Sequence, residues 1–380
     1  MMIYPRDDER AIRVQGMVDD WAKSGLLQQE QRDRMQADLQ VDYRRTNRFL
    51  RATLFLFGFL IICAVVGLVS LLVGDDDALS VIAFLAAGGA FFLAQTLIAR
   101  YRPYRFGIEE AAAVSSVVFF AAGCTVFVGH GFSSLRLFIA LAGASFIVFT
   151  RFGYLYAGIA AVLFAGVIPL NVDFSRVDTV RRLVGIVILF LIFGLARERR
   201  KDHDWDFPGD VYGVLEATAW AAMYVMTNLK ASEWLYSTDA IPQLYWATYA
   251  GIWILPAVGL FLAIRDRHRW MLDVNIVMAI VTLMTNKPYL NGIQKPWDPI
   301  LFGVLMIAIA LGLKRWLVSG ADGSRSGFVA ERLLASERER LGIASSATVV
   351  APGAPAPHAH TSPNLGGGGR SGGAGASGKF

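Results

Sequence analysis

One stretch constrains this chain more than any other: Arg197-Glu198-Arg199-Arg200-Lys201-Asp202-His203-Asp204-Trp205-Asp206-Phe207-Pro208-Gly209-Asp210. It is the most charged short interval between long apolar runs, and its cationic first half cannot rest in hydrocarbon. Six apolar runs precede it and four follow. Each is close to the ~20 residues that cross a bilayer as a helix, or somewhat shorter. The pattern predicts an all-α, polytopic helix bundle of ten spans with both ends on the cytoplasmic side. The charged loop fixes the side on which every other connection lies.

Composition agrees. Of the 380 residues, 55% are hydrophobic even with the 37 glycines left out of that count, above the usual share for a soluble domain. The apolar residues are gathered in blocks, without the rhythm of core and surface. A net charge of +5 would suggest nucleic acid in a soluble protein. Here Lys and Arg sit beside apolar runs on one side, as the positive-inside rule requires, and no nucleic-acid partner is implied. The two cysteines, Cys63 and Cys124, fall within apolar runs at different depths, so neither a disulfide nor a metal site is expected. The polar, acidic start predicts no cleaved signal peptide.

In chain order, residues 1–50 read as a cytoplasmic two-helix segment. Val14, Met17, Val18 and Trp21 recur at helical spacing, Ser24-Gly25 breaks the pattern, and a second helix follows from about Gln28 to Asp42 with Met35 and Leu39 inward. The expected spans are 52–73, 79–99, 108–128, 137–150, 152–170, 183–196, 211–229, 244–264, 273–285 and 300–318. Seventeen Lys and Arg near span ends then face the cytoplasm, among them Arg44 to Arg51, Arg100 to Arg105 and Arg265 to Arg269; seven face out. Residues 319–343 read as a short helix with Phe328, Leu333, Leu334 and Leu341 apolar. The stretch 344–380, rich in Gly, Ala and Pro, reads as disordered.

The seventh span carries the candidate site. Tyr212, Glu216, Trp220, Tyr224 and Asn228 stand four apart and form one ridge along a helix. Glu216 lies ~9 Å inside the cytoplasmic end. A carboxylate at depth costs at least ~2.5 kcal/mol on insertion scales, so it needs a protein partner or water. The ridge is therefore either a proton or ligand path, or an interior face whose acid is bonded to Arg197 or Arg199. Tyr289, Trp297 and Asp298 in the outer loop are candidate contacts for a ligand, with interface anchoring as the plainer role. Tyr245, Trp246, Tyr249 and Trp253 read as an aromatic belt. Glu109, Glu110 and Asp273 sit where helix N-termini favour anions, and capping accounts for them. The phosphate-loop likeness of Gly373 to Lys379 fails at Phe380, where Ser or Thr should stand, and His358 with His360 makes half a metal site at most.

Trp21, Gly25, Leu26, Leu27, Glu30 and Gln31 form W-x3-G-L-L-x2-E-Q directly upstream of the apolar block. This segment resembles the bacterial membrane protein family known as domain of unknown function 2157, over about the first seventy residues. The resemblance implies a multi-pass protein of the bacterial inner membrane and brings no catalytic residues with it. Nothing in the sequence calls for a cofactor. The bilayer is the expected partner, and the N-terminal helices and C-terminal tail are the segments open to a protein. Binding or assembly is the expected role, with a small-solute or ion transporter using the Glu216 ridge as the alternative.

Overall fold

A computed structural model describes residues 3–73, 76–126, 134–172, 178–203, 206–207, 209–232, 245–290, 297–320, 324–325 and 328–329. Two helices, α1 (Arg6–Lys23) and α2 (Gln29–Asp38), precede the apolar block. The block then forms α3 (Arg48–Val73), α4 (Asp76–Tyr101), α5 (Ile108–Val126), α6 (Ser134–Phe152) and α7 (Leu155–Val167), the last prolonged by a 3-10 turn over Ile168–Asn171. After these come α8 (Asp178–His203), α9 (Val211–Thr227), the short α10 (Leu229–Ser232), α11 (Tyr245–Arg265), α12 (Arg269–Tyr289) and α13 (Asp298–Val318). Among the described residues, six helices are long and apolar enough to cross a membrane: 48–73, 78–101, 108–125, 134–152, 179–203 and 245–265.

The helices outrun the apolar runs that predict them. The sixth run stops at Ala196, but α8 continues through Arg197 to His203. Arg, Glu and Lys are good helix formers, and cations suit a helix C-terminus. The cationic half of the central stretch is thus helical and not loop. Likewise α6 and α12 extend past the short apolar cores of the fourth and ninth runs, through Arg136 and Arg151 and through Arg269 and Lys287. Long cationic side chains can keep their heads in water while their stems lie along apolar surface.

Small residues set the closest packing. Ala83, Ala87, Ala90 and Ala94 are buried along α4 where it meets α5. At the start of α5, Gly107 has φ +115°, and a Cβ there would stand 2.3 Å from the carbonyl oxygen of Arg51, so the α3 backbone can approach this corner only with glycine. By contrast α13 lies outside the packed core, with Ile300, Val304, Ile307 and Leu311 all exposed.

The N-terminal segment closes over one end of the bundle. Ile3 donates its N–H to the Arg151 carbonyl, and the Tyr4 hydroxyl donates to the Pro103 carbonyl at 3.1 Å. Tyr104 donates to Glu9 at 2.8 Å, and Arg6 and Arg10 both reach Asp206. Burial pushes the Tyr43 phenol up to about 12, reinforced by its bond to Asp8, and burial raises the Glu9 carboxyl. Of the expected inward residues on α1, only Val18 is buried, while Trp21 is 37% exposed. Nothing on α2 is buried, and Met35 is exposed. A polar clasp holds that helix instead: Arg32 and Gln36 share Asp19, and Gln15 donates to the Leu39 carbonyl. The W-x3-G-L-L-x2-E-Q segment is the connection itself. Gly25 takes φ +79° at the end of α1, the Leu26 N–H returns to the Trp21 carbonyl, and Gln31 accepts from the Gln28 N–H to cap α2.

At the other end of the chain, Ser324–Arg325 pairs antiparallel with Phe328–Val329. Phe328 and Val329 are therefore paired as strand where the sequence suggested the start of a helix. The remainder of that expected helix, the 344–380 tail with its two histidines, and the phosphate-loop look-alike lie outside the described residues.

Candidate functional site

The site is built on α9. Asp210 caps it, accepting from the Gly213 N–H at 2.8 Å while its other oxygen lies 3.2 Å from His268 Nε2. A Cβ at residue 213 would meet the Asp210 carboxylate at 2.2 Å, so glycine there makes room for the cap. Burial pushes the Asp210 carboxyl up, but the hydrogen bond and charge of His268, the Gly213 N–H and the charge of Arg200 together outweigh it and hold it below the ordinary carboxylate value.

One and a half turns further on, Glu216 is 1% exposed. Arg197 Nη1 stands 3.3 Å from one of its oxygens and Arg200 Nε 2.9 Å from the other. Both arginines also reach Asp266, in the turn between α11 and α12. Two acids and two guanidiniums thus alternate across α8, α9 and the α11–α12 turn, and the exposed Arg265 also reaches Asp266 at 3.2 Å. Arg200 takes the place that the sequence reading gave to Arg199. Residues 197 and 200 share a helix face, whereas 199 points to another.

Beyond Glu216 the ridge meets α12. The Trp220 indole N–H donates to Asn275 Oδ1 at 2.9 Å. Tyr224 pairs its hydroxyl with Thr282 at 2.8 Å. Asn228 donates to Thr285 and to Tyr224, both at 3.0 Å, and accepts from the Ala231 N–H. The three rungs climb the two helices in the same direction, so α9 and α12 run parallel. Asn228 and Asn275 are fully buried and Thr282 nearly so. Tyr212, the first residue of the ridge, departs from this seam: it is half-buried at the rim, edge-on to Phe207 at 5.4 Å. Four of the five expected ridge residues therefore share one interior face.

The outer-loop candidates do not converge. Tyr289 ends α12 and is 1% exposed; its hydroxyl accepts from the Leu229 N–H at 2.7 Å, and its carbonyl accepts from the Tyr245 hydroxyl. It extends the seam and is a packing residue, with no free edge for a ligand. Trp297 is 60% exposed and Asp298 pairs with Lys287, while residues 291–296 lie outside the described residues. The expected aromatic belt divides in the same way. Trp246 and Trp253 are exposed, whereas Tyr245 and Tyr249 turn inward to Tyr289 and Asn286. Of the acids assigned to capping, Glu109 accepts from the Phe106 N–H as a cap does. Glu110 instead takes a two-pronged bond from Arg51, and Asp273 lies a turn inside α12 opposite Arg269.

Sequence reasoning missed the other half of the site. Asn275, Thr282, Thr285, Asn286 and Tyr289 recur on one face of α12, a periodicity available in the sequence. Asp266 and His268 carried no such signal, since they sit in a turn. Among the described residues, no group of three or more His, Cys, Asp or Glu could hold a metal. A groove of about 460 Å³ runs beside the seam, lined by Val225, Trp270, Val274 and Val277, and it meets the ridge only at Tyr224. No protein-family model, curated protein or solved structure matches this chain.

Proposed function

We propose that this is a ten-span inner-membrane protein with both ends in the cytoplasm, acting in binding or assembly rather than in catalysis or transport. The observation that carries the reading is the state of Glu216. It is sealed from solvent and ion-paired with two arginines, in the packed and paired condition of a structural acid. The rungs above it bond protein to protein, which supports a rigid spine and gives a moving solute nothing to bind. Each of the ten apolar runs falls on a helix, six of these being long and apolar enough to cross a membrane among the described residues. The N-terminal segment from Ile3 to Arg10 reaches Pro103, Arg151 and Asp206, in keeping with one arginine-rich end. The resemblance of the α1–α2 connection to domain of unknown function 2157 supports a bacterial inner membrane. Leu26, exposed in the α1–α2 connection, and Met35, exposed on α2, offer apolar contacts to a protein partner.

The alternative, a small-solute or ion transporter, draws on the length of the polar seam. A deletion strain grown across pH and salt, complemented with Glu216→Gln and Glu216→Leu, separates the two. Assembly requires both variants to complement; loss of complementation by both, with protein still inserted, would favour transport. Reporter fusions after Arg105, Lys201 and Arg269 are expected to read cytoplasmic, and fusions after Asp77 and Ser237 external. An external signal at Lys201 would overturn the topology.

A further inference from the structure

A second groove, of about 340 Å³, opens between α6, α7, α8 and α9. Ala161 and Ala165 form its floor, Phe146 and Leu195 are its exposed lips, and Arg199 and Tyr212 stand at one end. The order along each helix agrees. On α8, Leu195 lies one turn below Arg199; on α6 and α7 the lining residues descend from the α6–α7 corner into the apolar layer. The slot therefore has one polar mouth, at the level of the arginine cluster, and an apolar shaft roughly two turns deep, or ~11 Å.

The charges at the mouth are unequal. Arg197 and Arg200 are committed to Glu216 and Asp266, and Arg6 and Arg10 to Asp206. Arg199 is exposed and makes no ion pair among the described residues, and its guanidinium lies within reach of the Tyr212 phenol. A guanidinium and a phenolic hydroxyl above an apolar slot match a phosphodiester head with an acyl chain beneath it. We propose that this groove holds one anionic glycerophospholipid of the surrounding leaflet, its phosphate on Arg199 and Tyr212 and one chain along Ala161 and Ala165. The proposal rests on the membrane reading of α6 and α8. It is independent of the assembly role, which stands if the lipid site fails.

The full chain is reconstituted in nanodiscs containing phosphatidylglycerol with a diazirine on its acyl chain, and the labelled peptides are mapped. Label is expected to concentrate on residues 142–165 and 192–199, above the level on the exposed faces of α3 and α13. Unlabelled phosphatidylglycerol should displace it, whereas phosphatidylcholine and inorganic phosphate should not. Arg199→Gln is expected to weaken that displacement about fivefold, the worth of one cation at an anionic surface. Ala161→Phe, or Ala165→Phe should the first not fold, fills the shaft and should lower groove labelling to the level on α3. Arg269→Gln, at the same end but outside the groove, should change nothing. Even labelling of the groove, α3 and α13 in the unsubstituted protein would overturn the site, as would insensitivity to both Arg199→Gln and the shaft-filling variant. Protection by inorganic phosphate alone would replace the lipid with a free anion.

Discussion

The cluster around Glu216 is asymmetric in a way that mutation can expose. The carboxylate is 1% exposed, but the side chains of Arg197 and Arg200 keep 16% and 17% of their surface. Glu216→Leu takes away the acid and leaves both guanidiniums with Asp266 and a path to water along their flexible stems. The expected loss is under about 2 kcal/mol, because the removed charge takes its desolvation cost with it. The opposite change, Arg197→Met with Arg200→Met, leaves Glu216 buried without a cation, and about 3–5 kcal/mol should be lost. Adding Glu216→Leu to that pair should restore most of it, since an apolar trio of similar volume has no uncompensated charge. Reversible unfolding in mixed micelles, followed by tryptophan fluorescence, measures all four proteins. The reasoning is refuted if the double arginine variant is no less stable than Glu216→Leu, or if the triple variant fails to recover.

Three further outcomes follow from the same structure. Asp210 has a carboxyl held below its ordinary value of 3.8, so the stability it contributes is present above that pH and is lost as pH falls through the lowered value; Asp210→Asn should flatten the acid limb of a stability–pH curve. Thr282→Val removes a rung and leaves the buried Tyr224 hydroxyl with one fewer partner, for a loss of about 0.6–1.7 kcal/mol by the micelle unfolding assay, and no loss would mean that the seam is not structural. Gly107→Ala forces a Cβ against the Arg51 carbonyl at positive φ; a drop in unfolding temperature well beyond that of Gly143→Ala, where nothing lies within 4 Å, is expected.

The sequence alone determined that long apolar helices form, where each begins to within a turn in most cases, and which face of α9 turns inward. These are local properties. An apolar run of sufficient length has to satisfy its backbone internally in lipid, and residues four apart share a face whatever the helix later meets. The tertiary structure decided everything that depends on a partner. Arg200 and not Arg199 answers Glu216, because the choice depends on the rotation of α8 against α9. Tyr289 is buried and Trp297 exposed, although both sit among the same turn formers, because only α12 carries its last turn into the packing around Leu229 and Tyr245. The Arg51–Glu110 and Arg197–Asp266 pairs join residues 59 and 69 positions apart, so no local window of sequence shows them.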